Sequence, residues 1–168
     1  MAEKPVVAIL MGSKNDSPKL EKTFATLREF GVPFSAHVMS AHRTPARVVE
    51  LTSNAEKNGY KVMICAAGMA AHLGGVVAAH TTLPVIGIPV QGGALNGMDA
   101  LLATVQMPGG IPVASVAIGS GGAMNAALFA IQILALSDPT LSQKLKEHRI
   151  KQGEAVQAGD DELQAELG

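Results

Sequence analysis

Five short, mainly apolar segments constrain this chain more than anything else in it. They cover residues 6–11, 34–39, 62–66, 85–89 and 113–118, and each is followed by a loop and then a helical pattern. Strands of this kind that alternate with helices belong in a parallel sheet covered on both faces. The fold class expected is therefore α/β: a three-layer αβα sandwich around an open, doubly wound parallel sheet.

The connecting segments support that reading. Ser17 and Pro18 suit the cap and first turn of a helix. Leu20, Phe24, Leu27 and Phe30 recur at helical spacing, and Gly31 suits a left-handed stop. A second helix starts at Pro45 behind Thr44 and closes at Gly59. Shorter helical patterns cover residues 76–80 and 98–107, and a long one covers 123–136. A charged helix around 144–151 follows Ser137-Asp138-Pro139. The length of 168 residues suits one domain, placed at residues 1–158 with the C-terminal helix included. Residues 159–168 form an acidic tail expected to fray.

Charge is sparse and uneven. Charged residues make up 16% of the chain, against about 25% in an average domain. From Val62 to Gln143 the only charged side chains are Asp99 and Asp138. A membrane span does not explain this, because the longest apolar stretch, residues 123–136, is interrupted by Asn125 and Gln132 and falls short of ~20 residues. A large uncharged interface in a homo-oligomer does explain it. The net charge of -1, with no basic run, excludes nucleic acid as an expected partner. The single cysteine, Cys65, lies in an apolar run and reads as a buried thiol in a reducing compartment. The polar start Met1–Pro5 does not suit a signal peptide, so a cytoplasmic setting is expected.

Ligands of an open parallel sheet bind beyond the carboxyl ends of its strands. Those loops begin at Gly12, Ser40, Ala67, Val90 and Gly119. Four are glycine-rich, so their amides can approach an anion. The second holds the densest polar cluster: Ser40, His42, Arg43 and Thr44. Arg43 offers a donor fork suited to phosphate. His42 can give or take a proton near neutral pH. In the first loop, Ser13 can donate to an anion. Asp16 either accepts from ribose hydroxyls or caps the first helix. His72 is either a core histidine or part of the third loop's pocket. His37 and His80 read as structural, and His148 as solvated. Gly12-Ser13-Lys14-Asn15-Asp16 is neither a P-loop nor a dinucleotide fingerprint. No histidines stand at a metal-ligand spacing, so no metal is expected.

Six blocks in order resemble one family. They are Gly12–Asp16, Ser40–Pro45, Ala70–Leu73, Pro84–Gln91, Val105–Val113 and Asn125–Leu128. Together they are similar to the class I N5-carboxyaminoimidazole ribonucleotide mutases, the PurE family, over residues 6–136. The resemblance implies a flavodoxin-like sandwich, an octamer and a cofactor-free reaction of purine (IMP) biosynthesis. In it a carboxylate moves from the exocyclic nitrogen of a phosphorylated aminoimidazole ribonucleotide to carbon 4. It implies His42 as the acid/base, and Ser13, Asp16, Ser40 and Arg43 as substrate-binding residues. In the third loop it implies Gly68, Ala70, His72 and Leu73 around the carboxylate. It further implies a functional link to the ATP-dependent synthetase that makes the substrate. Two positions depart from the family pattern: Gly74 replaces a common proline, which gives that loop more backbone freedom, and Ser120-Gly121-Gly122 replaces Lys-Ala-Gly. The class II enzymes, which carboxylate aminoimidazole ribonucleotide with CO2 directly, carry Arg-Ser-Asn after the glycine of the third block, where this chain has Met69-Ala70-Ala71-His72.

Overall fold

A computed structural model describes residues 4–168. The chain divides into two compact units, Met1–Ile131 and Gln132–Gly168. The first contains a five-stranded sheet in the order β2-β1-β3-β4-β5. The strands are β1 (Val7–Met11), β2 (Phe34–Val38), β3 (Val62–Ala67), β4 (Val85–Pro89) and β5 (Ala114–Ser115). All four pairings are parallel. This is the flavodoxin-like order, with its switch point between β1 and β3.

The helices are α1 (Glu21–Phe30), α2 (Pro45–Ser53), α3 (Leu73–Ala78), α4 (Met98–Val105), α5 (Ser120–Ala135) and α6 (Pro139–Leu167). A 3-10 helix, Lys14–Leu20, precedes α1. Successive strand residues face opposite sides of a sheet. On one side Ala8, Leu10, Met63 and Cys65 form a core with Val48 of α2 and Leu73 and Val77 of α3. Ile9 and Ile64 alternate with them and are also fully buried. The Cys65 thiol lies in this core, and burial pushes its pKa up to about 12. It stays a thiol at any physiological pH.

Several boundaries differ from expectation. The first helical turn starts at Ser13 rather than Ser17, because Ser13 and Asp16 form a reciprocal capping box. Gly31 does stop α1 in a left-handed conformation, at φ 73°. Helix α3 begins at Leu73, so the third loop is shorter than the glycines suggested. Gly74 is buried, and a side chain there would start 3.4 Å from Val113 Cγ1. One on Gly75 would start 3.3 Å from Met107 Sδ. Both glycines lie within α3 in close packing rather than in a loop. Strand β5 pairs at only two positions, Ala114 and Ser115, with one further bond from the Val116 amide to the Gly87 carbonyl at 3.1 Å.

The second unit contains the end of α5 and α6. Asp138 caps α6 by accepting from the amides of Thr140 and Leu141, at 2.9 and 3.2 Å. The acidic stretch from Gly159, expected to fray, continues as helix to Leu167. Gln157 and Gln164 donate to Asp161 and Asp160 there, each pair four residues apart as helical geometry favours. No helix among the described residues is long and apolar enough to cross a membrane.

Edge strand β2 contains a histidine with a definite structural role. His37 Nε2 shares a 2.9 Å hydrogen bond with Ser35 Oγ, which in turn meets the Tyr60 hydroxyl at 2.8 Å. Burial, and secondarily the Arg47 charge, lower the His37 pKa below 6.5. The unfolded chain then binds this proton more readily than the folded one. Stability from this group is complete above pH 6.5 and is lost as pH falls through the lowered folded value. Urea midpoints are expected to drop from about pH 7 to pH 5. Replacing His37 by Gln should flatten that part of the profile.

Candidate active site

Strand order brings the first three loops together. β1 lies between β2 and β3, so the loops after β2 and β3 can meet over the end of β1. The second loop is locked by its own hydroxyls. Thr44 Oγ1 accepts from the Ser40 amide at 2.9 Å and donates to the Ser40 carbonyl at 3.2 Å. Ser40 Oγ accepts from the amides of His42 and Arg43, at 3.3 and 3.1 Å. Its own proton remains available to donate outward. Thr44 thus serves the loop, and its side chain makes no capping bond to α2.

Arg43 crosses to the neighbouring strand end, where its Nη2 donates to the Gly12 carbonyl at 2.8 Å. That bond fixes the second loop against the first. In the first loop the Ser13 amide donates to Asp16 Oδ2 at 3.1 Å, and Ser13 Oγ accepts from the Asn15 amide at 3.2 Å. Of the two roles open to Asp16, the structure displays the cap. The cap also holds both side chains at the end of β1, beside Gly12 and the Arg43 guanidinium that reaches it.

His42 Nε2 lies 2.9 Å from His72 Nδ1, with the rings 5.0 Å apart and nearly perpendicular, at 88°. One proton joins the two nitrogens, so one ring donates and the other accepts. His72 is therefore exposed and engaged with His42 rather than buried in the core. His37 and His80 stand apart from this pair. His80 Nδ1 is bonded to the Val76 carbonyl at 2.8 Å.

The remaining third-loop residues separate into two groups. Ala70 is exposed, next to Met69, whose φ of 53° puts a non-glycine residue in the left-handed region. A side chain on Gly68 would start 3.4 Å from the Val90 carbonyl, so a glycine lets these two strand ends come close. Ala71 and Leu73 are buried at 3% and 2% exposure. The Leu73 side chain belongs to the core. Among the described residues no group of three His, Cys, Asp or Glu side chains could hold a metal ion.

A cavity of about 540 Å³ opens at the ends of β4 and of the 3-10 helix. Pro18 to Lys22, Ile88 to Gln91, Gly119 and Ser120 line it, and His42 does not. Sequence reasoning missed Lys19 in that wall. Nothing in its helical position distinguishes it from the neighbouring Lys14 and Lys22.

Comparison with known proteins fits this geometry. The AIR carboxylase family model matches residues 6–155. N5-carboxyaminoimidazole ribonucleotide mutase of Bacillus subtilis is 50% identical over 160 residues, which covers 95% of this chain and 99% of that protein. The bifunctional purine synthesis protein purC/E of Dictyostelium discoideum is 50% identical over 153 residues, 91% of this chain but 15% of that protein. The crystal structure of Treponema denticola PurE superposes with a TM-score of 0.85 at 30% identity, covering 95% of this chain and 98% of that one. With a switch-point site made from three adjacent loops and a family match across nearly all of the sheet and its helices, this chain belongs to the AIR carboxylase family.

Proposed function

We propose that the chain converts N5-carboxyaminoimidazole ribonucleotide into 4-carboxyaminoimidazole ribonucleotide in purine biosynthesis, with His42 as the general acid/base. The observation that carries this reading is the His42–His72 pair at the end of β1, beside the Ser40–Arg43 loop, in a chain half identical to a mutase over 95% of its length.

The chemistry follows from the substrate. His42 gives a proton to the exocyclic nitrogen as the carbamate C–N bond breaks and CO2 departs. The freed amine makes the imidazole behave as an enamine, and carbon 4 attacks the retained CO2. His42 then takes the proton from carbon 4, so the enzyme ends as it began. Such acid–base help contributes about 10²- to 10⁴-fold. Holding CO2 against the ring adds a proximity effect. Ser13, Ser40 and Arg43 bind the phosphoribosyl part, with Asp16 on its hydroxyls. Gly68, Ala70, His72 and the Leu73 backbone enclose the carboxylate.

The experiment is to supply the carbamate with its carboxyl carbon labelled, in unlabelled bicarbonate. Label is expected to appear in the product carboxylate. Turnover of aminoimidazole ribonucleotide with bicarbonate, and none of the carbamate, would instead make the chain a direct carboxylase.

The working form in this reading is a homo-oligomer, an octamer, in the cytoplasm. Met98, Leu102 and Val105 form one stripe along α4 at spacings of four and three, and Leu95 lies in the turn just before it. All four side chains are between 48% and 62% exposed. Such a stripe in a stretch nearly free of charge suits burial against a second copy. The synthetase that supplies the substrate is the expected functional partner, and the bifunctional Dictyostelium relative is in keeping with a link to another step of purine synthesis.

A further inference from the structure

The loops after β3, β4 and β5 lie in the stretch Val62–Gln143, which has Asp99 and Asp138 but no lysine or arginine. A cation reaches them from elsewhere in the chain. Lys19, near the end of the 3-10 helix, donates from Nζ to the Gln91 carbonyl at 2.6 Å, across 72 positions of sequence. A side chain on Gly92 would start 3.5 Å from that ammonium, so the bare backbone leaves it room. The loop held in this way, residues 91–97, is bonded within itself. Gln91 Nε2 donates to Asn96 Oδ1 at 2.9 Å, and Gly93, Asn96 and Gly97 all have φ values in the left-handed region.

The far side of the same loop meets the third strand-end loop. Met69 fills the place where a side chain on Gly93 would go, with Cγ 3.2 Å from that position. Loop 91–97 is thus fastened at one end to the helix that begins at Ser13, and at the other to the loop that carries His72.

We propose that Lys19 is a positioning residue for this site: its ammonium holds loop 91–97 against the Ser13-capped helix and, through Met69, keeps the His72 loop in register with Ser13 and Asp16. The inference rests on the mutase reading only for its kinetic consequence. Lys19 is exposed, and its side chain is not part of the core, so replacing it leaves folding intact. A charge-assisted bond of this kind holds a loop modestly rather than rigidly.

The test uses the full chain with Lys19→Met, which keeps the stem and removes the donors, and Lys19→Arg, which keeps a donor. Amide hydrogen exchange is followed across residues 91–97 without substrate, and kcat and KM are measured on the carbamate. In the Met variant, exchange of loop 91–97 is expected to quicken about 5- to 10-fold. Its kcat/KM should fall by a similar factor, mainly through KM, and the Arg variant should stay near wild type in both. Unchanged exchange in the Met variant would overturn the clamp. Faster exchange with unchanged kcat/KM would overturn its role in positioning the site. If the wild-type chain does not turn over the carbamate, the mutase reading fails, and the exchange measurement still decides the clamp.

Discussion

Replacing His42 by asparagine should lower kcat by about 10²- to 10⁴-fold, the range general acid–base catalysis supplies, while KM and thermal stability change little. The second loop does not depend on the imidazole. Its shape comes from the Thr44 hydroxyl, the Ser40 hydroxyl and backbone amides. The Arg43 bond to the Gly12 carbonyl also remains. The ring's polar contact is with His72, at 2.9 Å. Asparagine can still hydrogen-bond there but cannot carry a proton between a nitrogen and a carbon. Steady-state kinetics on the carbamate, with substrate binding measured separately, checks this. Wild-type turnover in a variant that binds substrate normally would remove His42 from the acid/base role. His72, the only other imidazole in the pair, would then be tested next.

The two histidines illustrate what was legible in the sequence. The apolar segments and their order sufficed to expect a parallel sheet, and parallel sheets put their sites at carboxyl strand ends. That much led to the loops of Ser13, His42 and His72 before any contact was known. The contact between His42 and His72 was not legible, because it depends on β1 lying between β2 and β3. Strand order is a tertiary outcome, and no local pattern in residues 40–44 or 68–73 encodes it. The start of α3 was obscured for a different reason. Gly74 and Gly75 have low helix propensity, but they pack closely against Val113 and Met107. Packing outweighed propensity there, and it also drew Leu73 into the core. Asp16 as a helix cap was one of two readings of the sequence, and the structure shows it in a capping box with Ser13. The Lys19–Gln91 bond lay beyond any motif, since its partner is a backbone carbonyl far along the chain.

The largest expected loss of stability comes from a single methyl group at Gly122. A side chain there would run into the carbonyl of Ala117, with the Ala117 Cα 3.1 Å away. Both obstacles are backbone, so no rotamer change relieves them. The turn between β5 and α5 would have to open. That turn is already tightly specified: Gly119 has φ 91°, and its carbonyl accepts from the Ala123 amide at 3.1 Å. Opening it would displace Ala123, whose carbonyl accepts from the buried Thr23 hydroxyl at 2.7 Å and so joins α5 to α1. Overpacking costs about 1–3 kcal/mol where side chains can yield, so a clash with fixed backbone should reach at least the top of that range. For a chain of this size about 3 kcal/mol corresponds to a melting temperature lower by roughly 10 °C. Gly121→Ala is the matched control. Gly121 is exposed on the same helix, with nothing within 4 Å of the added carbon. Alanine there should stabilise the helix by about 0.5–1 kcal/mol. Thermal melts of the two variants should therefore shift in opposite directions from adjacent positions. Equal shifts would mean that the β5–α5 turn is not held as closely as Gly122 requires.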